Sequence, residues 1–256
     1  MVSAAVFLTD WVDGHISLLD FFDLPCASVE ALSPGNTRET VAAIGYTSGS
    51  TGIPKGVVIT HYSFIASTCT FRATEGMDDK DVAIIPRHLT LISSSRTALT
   101  YLCLGITTVI GQPDKPMDWL ISVFNQYKVS AIVATPQLLH QLADCALRNG
   151  TAVPSLRKVA SVGYCLPASI RDTVRRAFRL TWLRPCYGLT EACGIVAGFK
   201  GGQLTSGVLG YPGPMVQIKV ISGCLVFVNA EFLGFAFACV IHVRRRYTAV
   251  RSSVED

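Results

Sequence analysis

Short apolar runs alternate with amphipathic stretches across residues 107–191. Residues 107–110 predict a strand, and 117–128 predict a helix with Trp119, Leu120, Val123, Phe124 and Tyr127 on one face. A buried strand over 131–135 leads into a helix over 137–148 that Gly150 stops. A strand over 158–162, a helix over 168–179 and a strand over 181–186 complete the series. Strand and helix alternating through short links predict an α/β fold, a mostly parallel sheet with helices on both faces. Ligands of such sheets sit outside the carboxyl ends of the strands. The segments 47–52, 163–166 and 187–191 each follow a predicted strand, so all three are expected to open onto the same edge of one sheet.

Composition narrows the class. The 256 residues suffice for one large domain or two modest ones, each with a real core. Hydrophobic residues make up 50% of the chain and charged residues only 16%, which excludes disorder. The formal charge of +4 includes no basic stripe before the end of the chain, so nucleic acid is not an expected partner. The nine cysteines form no C-x-x-C pair and read as buried free thiols. The five histidines show no metal-ligand spacing, and no zinc site is expected. The first 13 residues lack a basic n-region, so they do not predict a signal peptide, and the chain reads as cytosolic.

The strongest chemical signal is Tyr46-Thr47-Ser48-Gly49-Ser50-Thr51-Gly52-Ile53-Pro54-Lys55-Gly56-Val57. Hydroxyls, glycines and a lysine in one short loop suit a polyphosphate. Glycines permit close backbone approach, N–H and hydroxyl groups donate to phosphoryl oxygens, and the lysine adds charge. The spacing is not G-x-x-x-x-G-K-[ST], and it is not a G-x-S-x-G nucleophile elbow. On composition alone, a flexible Gly/Ser/Thr loop remains the alternative reading.

As an ordered string, this dodecapeptide resembles the phosphate-binding signature of the adenylate-forming superfamily: acyl-CoA synthetases, coumarate-CoA ligases, beetle luciferases and peptide-synthetase adenylation domains. Three further segments fall in the family's order. Ala160-Ser161-Val162-Gly163-Tyr164-Cys165-Leu166-Pro167 is similar to the adenine-side segment S-G-G-A-P-L, with Tyr164 and Cys165 in place of small residues. Tyr187-Gly188-Leu189-Thr190-Glu191 matches Y-G-x-T-E, and Gly207-Val208-Leu209-Gly210-Tyr211-Pro212 is similar to the G-x-x-G-x-P stretch that follows.

The resemblance implies the central part of the family's large domain and the family's chemistry. A substrate carboxylate attacks the α-phosphorus of ATP, pyrophosphate leaves, and an acyl-adenylate remains. A thiol, usually that of coenzyme A, then takes the acyl group. By motif match, Thr47, Ser48, Gly49, Ser50, Thr51, Gly52 and Lys55 hold the β- and γ-phosphates. Gly163 belongs to the adenine side, Tyr187 stacks on the adenine and Gly188 accompanies it. Thr190 contacts the α-phosphate, and Glu191 holds Mg²⁺ as a hard oxygen ligand. His88, in Ile85-Pro86-Arg87-His88-Leu89, stands near the place of a family histidine that assists adenylation, although the glycine usual after it is missing. Acyl specificity is expected from residues 136–139, 162–166 and 193–196. A core aromatic at Tyr187 and a helix-terminal acid at Glu191 are the bland alternatives.

The pattern also breaks. Family chains are roughly twice as long, with a subdomain upstream of the loop and, downstream, a ribose-binding aspartate, a hinge and a small domain carrying a lysine. Residues 1–40 are therefore expected to be a remnant of the upstream subdomain, 41–221 the AMP-binding core, and 222–256 an apolar tail foreign to the family, without the small C-terminal domain. Residues 223–243 are almost unbroken in their apolar character and precede Arg244-Arg245-Arg246, which fits a transmembrane helix apart from Glu231. An intron-derived tail, a membrane anchor and a divergent strand pair all stay open. The expected function is activation of a small-molecule carboxylic acid, incomplete in this chain. An inactive nucleotide-binding remnant and a tail-anchored membrane protein are the alternatives. Family members are cytoplasmic or peroxisomal, and the terminal Val254-Glu255-Asp256 is no peroxisomal address.

Overall fold

The computed structural model describes residues 7–8, 16–17, 35–47, 55–198, 210–214, 216–221, 224–230 and 240–242. The chain divides into two units, Met1–Pro34 and Gly35–Asp256. In the first, β1 (Phe7–Leu8) pairs in parallel with β2 (Ile16–Ser17).

The second unit opens with a hairpin of β3 (Val41–Thr47) and β4 (Lys55–Thr60). Helix α1 (His61–Glu75) begins where Thr60 and Ser63 cap each other reciprocally, and it ends at Gly76, whose φ of 58° is the left-handed turn a helix needs to stop. Then follow β5 (Val82–Ile85), α2 (Ile92–Cys103), β6 (Thr107–Ile110), α3 (Met117–Gln126), β7 (Ala131–Ala134), α4 (Pro136–Arg148), β8 (Lys158–Ser161), α5 (Ala168–Ala177) and β9 (Trp182–Pro185). These five strands form one parallel sheet in the order β6-β5-β7-β8-β9. The α/β architecture expected from the alternation is therefore present, with element limits within two residues of those predicted between 107 and 185.

Side chains alternate across this sheet, as a pleat requires. Ile84, Ile132, Val159 and Leu183 point to one face, where Leu120, Phe124, Leu139, Leu142 and Val174 of α3, α4 and α5 cover them. Ala83, Ile85, Ala131 and Ala160 point to the other, against Phe71 of α1 and Tyr101 of α2. That second face is unusual. Helix α1 buries Ser67, Thr70, Thr74 and Glu75 while exposing Ile65. Helix α2 buries Ser94, Arg96, Thr97 and Thr100 while exposing Leu99 and Leu102.

Past β9 lie β10 (Tyr187–Leu189), a 3₁₀ turn (Thr190–Ala192), β11 (Gly194–Gly198) and β12 (Tyr211–Pro212), which make a small antiparallel sheet. A further antiparallel meander holds β13 (Val216–Ile221), β14 (Cys224–Ala230) and β15 (Val240–His242).

Two expectations are corrected by this arrangement. The three motifs do not open from one sheet. Thr47 ends β3, which belongs to a separate two-stranded sheet, whereas 163–166 and 187–191 do follow β8 and β9 of the parallel sheet, with residues 187–189 going on to form β10. The described part of 223–243 is β-structure and not a transmembrane helix. Ile221 pairs with Cys224, and β14 runs antiparallel to β13. Among the described residues no helix is long and apolar enough to cross a membrane.

Candidate active site

The strand order places β5 at the point where the sheet reverses direction of growth, with β6 added on one side and β7 on the other. Helix α2, which follows β5, packs on one face, and α4, which follows β7, packs on the other. Connections that part in this way leave a crevice at the carboxyl ends of β5 and β7. A cavity of about 380 Å³ occupies that position. Pro86 and Arg87 line it from the end of β5, Thr135 from the end of β7, and Val162, Gly163 and Tyr164 from the end of β8. Gly188, Leu189 and Thr190 close it from the small sheet, and the first turns of α2 supply Ile92, Ser94, Arg96 and Thr97.

Several wall residues hold their place through local chemistry. Thr135 is the N-cap of α4, and its hydroxyl accepts the Leu138 N–H at 3.4 Å. Gly163 has φ 91°, and a Cβ there would meet Thr135 Cγ2 at 3.5 Å. Gly188 lies so close to β11 that a Cβ would fall 2.5 Å from the Gly194 carbonyl oxygen, so no side chain fits without moving backbone. The turn into β11 passes through Cys193 at φ 54°, a left-handed conformation rarely taken by a non-glycine residue.

Three residues singled out by the sequence therefore come together on this cavity, namely Gly163, Gly188 and Thr190. Glu191 and Tyr187 are half-buried neighbours of Thr190 and Gly188 and do not line it. Thr47 and Lys55 face each other as the last pair of the β3–β4 hairpin, and the hairpin packs beside the Thr190–Ala192 turn. Ser48, Gly49, Ser50, Thr51 and Gly52 lie outside the described residues. His88 stays off the cavity wall. Its side chain is exposed, and Nε2 lies 3.6 Å from the Asp114 carboxylate. Of the predicted acyl-pocket segments, 162–164 and 193–195 contribute to the wall, whereas Pro136 and Leu139 are buried elsewhere and Leu139 packs in the α3–α5 core.

The sequence reading missed α2. Arg96 is 7% exposed and lines the cavity. Its Nη1 donates to Ser67 Oγ at 3.0 Å and its Nη2 to Thr97 Oγ1 at 3.2 Å, while Ser67 Oγ donates to the Cys193 carbonyl at 2.6 Å. Burial pushes the guanidinium below its ordinary pKa, and the fields of Cys193, Tyr101 and Glu75 oppose that shift. Glu75 is fully buried, accepts the Cys186 thiol at 3.1 Å, and is pushed up by burial. The run Ser93-Ser94-Ser95-Arg96-Thr97 was the available signal, since so polar a string carries no apolar stripe for a core-facing helix.

The parallel sheet and its crevice define an α/β domain with a cavity at the strand carboxyl ends. The AMP-binding enzyme family matches residues 15–225, and the chain belongs to that family. It is similar to the luciferin 4-monooxygenase of Nipponoluciola cruciata, 30% identical over 190 residues that cover 72% of this chain and 34% of that relative. Among solved structures, a long-chain-fatty-acid-CoA ligase from Archaeoglobus fulgidus superposes with a TM-score of 0.73 at 22% identity, covering 86% of this chain and 48% of the other. An anthranilate-CoA ligase in complex with anthranoyl-AMP gives 0.73 at 17% identity, covering 92% and 53%. The chain thus spans about a third of the curated relative's length and about half of the solved ligase chains, and its fold is the corresponding part of the adenylate-forming large domain.

Proposed function

We propose that this chain carries the acid-activating chemistry of an adenylate-forming ligase: a carboxylate oxygen attacks the α-phosphorus of ATP, pyrophosphate leaves, and an acyl-adenylate forms. The observation that carries this reading is the convergence of Gly163, Gly188 and Thr190, from two separate motifs, on one cavity at the reversal point of the sheet. Both reactants are anionic, so alignment and charge neutralisation matter more than a protein nucleophile. Thr47 to Gly52 and Lys55 hold the β- and γ-phosphates. Tyr187 stacks on adenine, Gly188 lets the nucleotide approach the backbone, and Thr190 donates to the α-phosphate. The mostly apolar remainder of the cavity takes an acid of moderate size.

By motif match Glu191 would hold Mg²⁺ as a protein carboxylate, and phosphate and water would supply the further oxygens this ion prefers. When bound it supplies neutralisation of phosphoryl charge. Passage of the acyl group to a thiol such as coenzyme A is the step the family resemblance adds.

The deciding experiment is carboxylate-dependent exchange of pyrophosphate into ATP. Exchange that Glu191→Ala abolishes supports the reading. A folded chain with no exchange on fatty, aromatic and dicarboxylic acids sinks it. The exposed position of His88 favours a second reading, in which the chain binds ATP without turnover. Saturable ATP binding without exchange separates that reading from the first.

A further inference from the structure

A buried guanidinium that faces a largely apolar cavity needs an explanation, because removing a cation from water is costly unless an anion or several acceptors receive it. Among the described residues Arg96 has two hydroxyl acceptors, Ser67 and Thr97, and no carboxylate lies within ion-pair distance of it. Glu75, the acid whose field reaches it, is committed to the Cys186 thiol. Burial also favours the uncharged form of Glu75.

The guanidinium is nevertheless fixed in place. Ser67 accepts from it and its own hydroxyl donates to the Cys193 carbonyl, which ties Arg96 to the turn between β10 and β11. Gly194 lies flat against it, and a Cβ there would meet Arg96 Cζ at 2.8 Å. Gly194 has φ 133°, so backbone conformation and contact both demand glycine. A planar, oriented, charged fork is thus presented to the cavity with donors to spare, which is the arrangement that recognises a carboxylate.

We propose that Arg96 is a specificity-determining residue that binds a second anionic group on the acid substrate, so that the cavity selects dicarboxylic acids over monocarboxylic ones. This rests on the cavity being the acid site of the proposed ligase. The carboxylate that reacts remains at the nucleotide side, by Thr190 and Gly163. The second carboxylate docks on Arg96 beside Ser94 and Gly194, across the apolar wall formed by Ile85, Val133 and Ile195.

The test is calorimetric binding to the 256-residue chain of acids matched in length, hexanoate against adipate and benzoate against terephthalate. The wild-type chain should bind the better diacid at least about tenfold more tightly than its monoacid partner. Arg96→Met should lose that preference with ATP affinity held within about twofold. Arg96→Lys, which keeps the charge without the fork, should retain part of it. Circular dichroism checks the fold of each variant. If Arg96→Met fails to fold, the wild-type preference and its reduction in Arg96→Lys decide the matter. Equal or tighter binding of monoacids by the wild type overturns the proposal. So does a diacid preference that survives Arg96→Met, and so does a loss of ATP affinity in place of acid affinity, which would assign the guanidinium to nucleotide phosphate. A diacid preference with no pyrophosphate exchange on any acid would sink the ligase reading and overturn the substrate-specificity role, leaving Arg96 only as an anion-binding group of that cavity.

Discussion

At the amino end of the parallel sheet, Asp81 is enclosed by a full set of donors. Lys158 Nζ reaches Oδ2 at 2.6 Å, the Asp78 N–H reaches it at 3.0 Å, and Ser130 Oγ donates to Oδ1 at 2.8 Å. Lys158 also donates to the Gly76 carbonyl at the end of α1, so the network joins β5, β7, β8 and α1. Beside the carboxyl end, Arg96 is also buried and, among the described residues, donates only to hydroxyls. The first charge is closed on itself and serves the fold. The second, among the described residues, has an incomplete set of partners. Burial alone does not distinguish a structural charge from a functional one, whereas the completeness of its partners does.

The contrast can be broken by substitution at either end. Asp81→Asn should have the largest effect, a loss of about 3 kcal/mol at neutral pH, because Lys158 is left without its carboxylate. Burial by itself would raise the Asp81 pKa, but Lys158, the Asp78 N–H and Ser130 together hold it below the ordinary 3.8. A depressed carboxylate stabilises the fold above its unfolded pKa and ceases to do so as pH falls through the folded value. Urea melts should therefore show the full gap between wild type and variant at pH 7, and the gap should shrink below about pH 4. Persistence of the gap in more acidic solution would remove the ionic account.

Arg96→Met should act in the opposite direction. Replacing an uncompensated buried cation by an apolar chain of similar length is expected to raise stability by about 1–2 kcal/mol in the absence of ligand. A strong destabilisation would mean that Arg96, like Asp81, belongs to the fold. The smallest effect belongs to Tyr101→Phe. The Tyr101 hydroxyl is buried with no hydrogen-bond partner among the described residues, and burial pushes its pKa up. Its removal should stabilise by about 1 kcal/mol in the same melts, since an unsatisfied buried hydroxyl is lost.

How much of this was legible in the sequence followed from what each helix turns inward. Helices α3 and α4 bury apolar stripes, Leu120 with Phe124 and Leu139 with Leu142, and their limits were read within two residues. Helices α1 and α2 bury serines, threonines, Glu75 and Arg96 and turn Ile65, Leu99 and Leu102 outward, so hydrophobic periodicity gives no face to follow. The site was legible to the same degree. Gly163, Gly188 and Thr190 stood out as ordered motifs, while Arg96 reaches the cavity only through a helix whose pattern is inverted. The strand before 47–52 pairs with β4 and not with the parallel sheet, because a strand followed by a glycine-rich loop looks the same in sequence before a crossover helix as before an antiparallel return.

The strand order also governs how the domain is assembled. Strand β5 is made first, β6 adds to one of its edges, and β7, β8 and β9 extend the other edge in the order of their synthesis. No strand has to be threaded between two that are already paired. Each new strand finds an open edge waiting, and the covering helix follows or precedes it within a short length of chain. Synthesis at about 5–20 residues per second is slow beside strand docking, so the sheet can grow on the ribosome one strand at a time. The crevice between β5 and β7 then exists as soon as residue 134 has docked, well before the β10–β12 sheet arrives to close it.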